Sequence, residues 1–321
     1  MITKKTSLPV KFCGANNMGR ISIVFFGSGP VAAKSLVFLA ENFDIEAVIT
    51  KPRAAHHKGS VPVLETCEKL AIDQVLTAAS KQEVSKIVSE HKFVSRLGVV
   101  IDFGIIIDKD VIDSFDLGIL NSHFSLLPEL RGADPITFAV LSGQPQTGVS
   151  LMLINEKMDE GDLLAQGIYD LPKDVTTPRL TDDLIDLSDA LLKEFIPLYV
   201  DGKVQPAPQL EATILGSVTP TYSRKLSKQD SVLDFSKTAD ELEREVRAFL
   251  EWPRSRANIG ATEVIITKAH VNKISGVPGT LLIDNKQLGF HAVEGTLMID
   301  ELIPSGKKAM PASAFLAGYR V

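Results

Sequence analysis

The chain has 321 residues, 45% of them hydrophobic and 23% charged, enough for a substantial core in one large domain or two of ordinary size. No apolar run reaches the ~18 residues that a membrane-spanning helix needs, and the basic N-terminus M-I-T-K-K-T-S-L-P-V-K-F lacks a signal-peptide apolar stretch, so a cytoplasmic location is expected. A net charge of −6 and two cysteines, Cys13 and Cys67, exclude a uniformly basic nucleic-acid binder, a disulfide framework and a cysteine zinc cluster.

Residues 21–26 (I-S-I-V-F-F) read as a buried strand, followed by Gly27-Ser28-Gly29-Pro30 and a helix to about Asn42. Pro30 suits a first helical turn, where its missing N–H has no partner to lose. A second strand is expected at 45–50, helices near 62–71 and 80–91, and another strand from Leu97 to Ile101. A short helix near 108–115, a strand at 117–121, a helix near 134–142, strands at 147–154 and 163–170, and a long helix over 178–199 complete the series. Alternation of strands and helices predicts a Rossmann-like α/β domain around a mostly parallel sheet. Residues 201–221 are rich in Pro, Gly and Thr and read as an extended linker. Beyond them, Thr238 and Glu241 mark a capped helix over 238–250, and short Gly-punctuated apolar runs predict a small antiparallel, OB-like β-barrel. The expected division is a catalytic domain over 1–203 with an N-terminal extension at 1–20, a linker at 204–221, and a barrel-like domain over 222–321.

The stretch N-S-H-F-S-L-L-P-E-L-R-G-A-D-P, residues 121–135, begins where the strand G-I-L-N ends. In open parallel sheets ligands bind beyond the carboxyl ends of the strands, so Asn121 and His123 fall where chemistry is expected. A second polar cluster, Met158-Asp159-Glu160-Gly161-Asp162, lies in the loop between two later strands. Taken singly, these are ordinary turn or structural residues. Together they suit acyl transfer to an amine, which passes through an oxyanionic tetrahedral intermediate. Asn121 and His123 can donate N–H to that oxygen, each such donor being worth roughly 2.7–4 kcal/mol. Asp159 beside His123 would favour and orient the protonated imidazole and manage protons through a water. Neither a nucleophilic side chain nor a metal is required.

The same residues resemble the N-x-H-x-S-L-L-P-x-x-R-G-x-x-P signature of the methionyl-tRNA formyltransferases and their relatives. M-D-E-G-D resembles that family's D-x-G-D loop, and Q-T-G-V-S-L-M (146–152) resembles the T-G-V strand between them. The likeness extends from about residue 21 to 320 and includes F-F-G-S-G-P, Y-S-R-K-L-S-K-Q-D-S-V-L-D-F (222–235), R-A-F-L-E-W-P (247–253) and S-G-K-K-A-M (305–310). It implies that Asn121, His123 and Asp159 are catalytic. It also implies that Ser125, Leu126, Leu127 and Pro128 line a site for 10-formyltetrahydrofolate as co-substrate, without a metal. The implied acceptor is initiator methionyl-tRNA, and a monomer is expected. From residue 205 onward 14 Lys and Arg face 13 Asp and Glu, so the first 204 residues carry a net −7 and RNA contacts must be local. Lys51, Arg53 and Lys58 in the loop after the second strand, with Arg224, Lys225, Lys228, Lys307 and Lys308, are candidate phosphate contacts.

Several departures bear on this reading. The loop K-P-R-A-A-H-H-K-G-S-V-P is shorter than the basic loop of the tRNA enzymes and lacks its Asp-Arg-Pro core. His56 and His57, adjacent in that loop, are poorly spaced to chelate a metal together. Phe124 replaces the usual Gly, putting a bulky ring next to His123, where it would narrow the folate pocket. D-F-G-I-I-I-D (102–108) replaces a small-aromatic-Gly pattern, and residues 1–20 have no family counterpart. Two other readings compete. An amino-sugar nucleotide could be the formyl acceptor. Separately, Gly27-x-Gly29-x-x-Ala32 satisfies the dinucleotide-binding fingerprint of an NAD-dependent oxidoreductase or nucleotide-binding module. That fingerprint expects an acidic residue at the end of the second strand, which instead ends Val48-Ile49-Thr50-Lys51.

Overall fold

A computed structural model describes residues 20–53, 61–216 and 218–320. The N-terminal half opens with β1 (Ser22–Phe26), α1 (Pro30–Asn42), β2 (Asp44–Thr50), α2 (Pro62–Leu70), β3 (Val75–Thr77) and α3 (Lys81–His91). It continues with β4 (Gly98–Val100), α4 (Lys109–Ile112), β5 (Ile119–His123), β6 (Arg131–Gly132), α5 (Pro135–Ser142), β7 (Gln146–Leu153), β8 (Leu163–Asp170) and α6 (Thr177–Val200). Seven of these strands form one sheet in the order β3-β2-β1-β4-β5-β7-β8. The sheet is parallel from β3 to β5, whereas β7 runs antiparallel to both its neighbours. The two faces carry separate cores, as the continuous apolar runs of a doubly covered sheet require. Ile23, Phe25, Val48 and Val99 pack under α1 and α6, while Val24, Phe26, Ile49 and Val100 pack under α3 and α4. Strand β3, only three residues long, was not expected from the sequence.

The linker is more structured than its composition suggests. Ala207 forms a β-bridge with Leu163, and α7 (Gln209–Ala212) follows Pro208 as a single turn. The chain then pairs β9 (Tyr222–Ser223) in parallel with β6. A short 3-10 turn leads to α8 (Ala239–Ala248), whose N-terminus carries the expected reciprocal capping box between Thr238 and Glu241. The remaining strands are β10 (Arg256–Ile259), β11 (Thr262–Asn272), β12 (Leu281–Asp284), β13 (Gln287–His291), β14 (Thr296–Pro304) and β15 (Met310–Pro311), before the final helix α9 (Ala312–Gly318). They make a curled antiparallel sheet, the barrel-like architecture expected, in the order β10-β11-β14-β13-β12 with β15 beside β14. Leu242 and Val246 of α8 and Phe315 of α9 fill its concave side with Ile259, Val264, Leu288 and Leu297. The halves are also joined directly: Arg244 and Arg247 of α8 donate to the carbonyls of Leu141 and Val175.

Candidate active site

Strand β5 runs two residues further than the sequence suggested, so Asn121 and His123 lie within its carboxyl end, not in the turn beyond it. Their backbones are held by antiparallel pairing with Met152 and Ser150 of β7. Alternation along the strand sends Asn121 and His123 to one face and Ser122 to the other, where its hydroxyl meets that of Ser188 on α6. The Asn121 side chain is half-buried, and its amide has no hydrogen-bond partner among the described residues. His123 is buried; its Nε2–H donates to the Leu130 carbonyl at 2.9 Å, and its Nδ1 lies 3.8 Å from Asp159 Oδ2. The fold thus brings Asp159 to His123, 36 positions earlier in the chain, while Asn121 shares the His123 face of β5.

Asp159 is held in an uncommon way. Its φ of 53° puts a non-glycine residue in the left-handed region, a conformation that surrounding contacts must stabilise. Oδ2 accepts a 2.7 Å hydrogen bond from the Gly132 N–H, which ties the loop of Asp159 to the segment after β5. Gly132 itself has a φ of 103°, and a side chain there would strike the Ser223 carbonyl of β9. A glycine is needed because two backbones approach one another beside the carboxylate.

Residues 125–128 are all buried. The Ser125 hydroxyl donates to the Glu129 carbonyl, while Ser150 links the segment to β7 by donating to Ser125 O and accepting from Leu127 N–H. Gln166 of β8 donates to Leu127 O. Leu127 packs with Met152 and Leu163. Ser125 and Leu126 border a narrow crevice together with Glu129, Gln146 and Thr147, and burial raises the Glu129 carboxyl above its ordinary range. Phe124 is not a wall of this crevice: its ring belongs to the main core with Ala139 and Val140 of α5, because residue 124 alternates to the opposite side of the chain from His123.

The crevice between β1 and β4, where the strand order reverses, is occupied by the chain itself. The N–H groups of Ser28 and Gly29 both donate to the Asp102 carbonyl, and a Cβ at Gly29 would overlap the Asp102 carboxylate. That carboxylate reaches solvent through the crevice mouth, yet protein walls surround it. Loss of hydration pushes its pKa up to about 6, with Lys51 pulling it down and Asp134 adding to the rise. A pyrophosphate would meet a carboxylate where the fingerprint requires bare backbone N–H groups. The dinucleotide reading of Gly27-x-Gly29-x-x-Ala32 fails for this reason.

The candidate phosphate contacts separate into two groups. Lys51 turns into the crevice, its ammonium lying against Gly104 and in the field of Asp102. Arg224 is engaged by both Asp230 oxygens and lies over the Phe138 ring. Lys225, Lys228, Lys307 and Lys308 are exposed and make no ion pair among the described residues, the last two on the turn between β14 and β15. Arg53 is exposed beside Lys51. Lys58, His56, His57, Cys13 and nearly all of the N-terminal extension lie outside the described residues. Cys67 is buried, and burial pushes its thiol up to about 11, so it remains protonated at neutral pH. Among the described residues no group of three or more His, Cys, Asp or Glu could hold a metal ion, and no helix is long and apolar enough to cross a membrane.

Three residues escaped the sequence reading: Arg131, Gln209 and Asp102. Arg131 is part of the recognised signature, but nothing there assigns it a partner. Gln209 belongs to a stretch that reads as linker and carries no local signal at all.

A Rossmann-like sheet with His123 and Asp159 together at its carboxyl edge, followed by a curled antiparallel domain, is the architecture of the formyltransferase class. Residues 20–196 match the formyl transferase family and residues 225–320 match the formyl transferase C-terminal domain, so the chain belongs to that family. It is 33% identical over 309 residues to a methionyl-tRNA formyltransferase of Myxococcus xanthus, covering 95% of this chain and 97% of that protein. A methionyl-tRNA formyltransferase of Bacillus mycoides is 30% identical over 312 residues, covering 94% and 96% respectively. Among solved structures, an N-formyltransferase from Helicobacter canadensis, in complex with folinic acid and dTDP-3-aminofucose, superposes with a TM-score of 0.64. At 17% identity, over 87% of this chain and 98% of that one, it shares the fold.

Proposed function

We propose that this formyltransferase moves a formyl group from 10-formyltetrahydrofolate to the α-amino group of initiator methionyl-tRNA. The observation that carries the reading is the 3.8 Å approach of Asp159 to the Nδ1 edge of His123, with the unengaged Asn121 amide on the same face of β5. The acceptor amine attacks the formyl carbon, and the carbonyl oxygen gains negative charge. Asn121 donates N–H to that oxygen. His123, its Nε2–H engaged by Leu130 O, offers an Nδ1–H when protonated, so it can serve the oxyanion from the edge that Asp159 supports. Asp159 takes up the proton lost by the attacking amine, through a water. Collapse of the intermediate breaks the bond from carbon to N10, which receives that proton back from Asp159 through the water and departs as tetrahydrofolate. Ser125 to Pro128 shape the folate side of the site. The named relatives at 30–33% identity support methionyl-tRNA as acceptor, and Lys225, Lys307 and Lys308 offer exposed charge for its phosphates. The protein acts as a monomer in the cytoplasm.

The test supplies 10-formyltetrahydrofolate with charged initiator tRNA and, separately, with amino-sugar nucleotides, and follows formylated product. Transfer to the tRNA is expected; transfer to the sugar alone would overturn the acceptor assignment.

A further inference from the structure

The loop of Asp159 is gripped by a residue of the interdomain linker. Gln209 follows Pro208 at the start of α7 and is almost wholly buried. Its Nε2 donates to two carbonyls of the loop, Asp159 O at 2.8 Å and Gly161 O at 3.0 Å. Its Oε1 accepts twice from the buried Arg131 guanidinium, from Nη2 at 2.6 Å and from Nε at 3.1 Å. The amide's two donor hydrogens and both acceptor positions are thus satisfied, which fixes its orientation. Arg131 in turn lies next to Gly132, whose N–H holds the Asp159 carboxylate. Linker, signature segment and carboxylate loop therefore close a ring of hydrogen bonds around one acidic side chain. The linker backbone is anchored just before it by the bridge between Leu163 and Ala207, with reciprocal N–H to O distances of 2.8 and 3.0 Å.

We propose that Gln209 is a positioning residue for formyl transfer, holding Asp159 in its left-handed conformation so that the carboxylate faces His123. The proposal rests on the reading that Asp159 serves the reaction. The physical case is that a non-glycine residue at a φ of 53° does not hold that conformation unaided, and that its own carbonyl and that of Gly161 would lose their donor if the amide were removed. A residue of the linker, between the two domains, would then set the geometry of a carboxylate that lies 50 residues earlier in the chain.

Gln209→Glu separates the two halves of the contact. It keeps, and strengthens by charge, the acceptor for Arg131, and it removes both donors to the loop. Gln209→Leu removes everything at similar volume. The experiment measures kcat, KM for each substrate and the pH profile of kcat for wild type, Gln209→Glu, Asp159→Asn and the double variant, with Gln205→Ala, an exposed linker position, as control. A misplacement of about 1 Å costs on the order of 10²-fold in rate. The expected result is a fall in kcat of about 10- to 100-fold for Gln209→Glu, with folate KM within about twofold. A displaced limb of the pH profile is also expected, and little further loss when Gln209→Glu is added to Asp159→Asn. Wild-type kcat in a folded Gln209→Glu, or an equal fractional loss with and without the Asp159 carboxylate, would overturn the proposal. Full activity of Asp159→Asn beside an impaired Gln209→Glu would instead sink the assignment of Asp159, and with it the route by which Gln209 is said to act.

Discussion

Replacing Asp189 by asparagine is expected to stabilise the protein, and to do so more at pH 8 than at pH 5. Asp189 is buried on α6, facing Ser35 of α1. Neither its Oδ1 nor the Ser35 hydroxyl finds a hydrogen-bond partner. Desolvation therefore dominates and pushes the carboxyl up to about 7 from 3.8; the neighbouring Ser35 hydroxyl lowers it, and Asp186 adds to the rise. Because the folded pKa lies above the unfolded one, the folded chain binds a proton that the unfolded chain has released, between about pH 4 and pH 7. Over that window stability falls by about 1.4 kcal/mol per pH unit, and above it the full penalty of about 4 kcal/mol is in place. Asparagine is neutral throughout and carries no such penalty. The unfolding free energy of Asp189→Asn should thus exceed that of wild type by roughly 1–2 kcal/mol at pH 5 and by about 4 kcal/mol at pH 8. Urea unfolding at both pH values, followed by far-UV circular dichroism, measures the difference, and contributions common to both proteins cancel. An advantage that stayed constant between the two pH values would refute the argument that a buried, unpaired carboxylate is the cause.

Asn121→Ala should lower kcat by about 10²–10³ with little change in folate binding, as loss of one oxyanion donor does; turnover within about twofold of wild type would remove Asn121 from the mechanism. Gly148→Ala should destabilise the catalytic domain by roughly 1–3 kcal/mol, since a Cβ there would overlap the Gly167 carbonyl of β8 and the Leu126 side chain; thermal unfolding checks this. Lys307→Ala with Lys308→Ala should weaken binding of charged tRNA and reduce its dependence on log salt by roughly one unit or more. The KM for 10-formyltetrahydrofolate should be unmoved, and steady-state titration with each substrate at two salt concentrations separates the two effects.

The order of strands and helices was legible because each element carries its own local signal. The apolar run of β1, Pro30 at the start of α1 and the box of Thr238 and Glu241 on α8 reflect chemistry confined to a few neighbouring residues. The signature at 121–135 was equally legible, because the segment after β5 concentrates donors, a tight turn and close backbone approaches in fifteen residues. Sequence could not say that β5 continues through His123, since that depends on pairing with β7, nor that Phe124 turns into the core, which follows from that extension. Nor could it report that Asp102 fills the turn at Gly29, or that Gln209 grips the loop of Asp159, for those contacts join residues 50 to 73 positions apart. A contact between residues far apart in the chain leaves no periodicity behind it. Local chemistry wrote the elements and the motif; only the folded sheet, with its linker laid back across the signature segment, decided which groups meet.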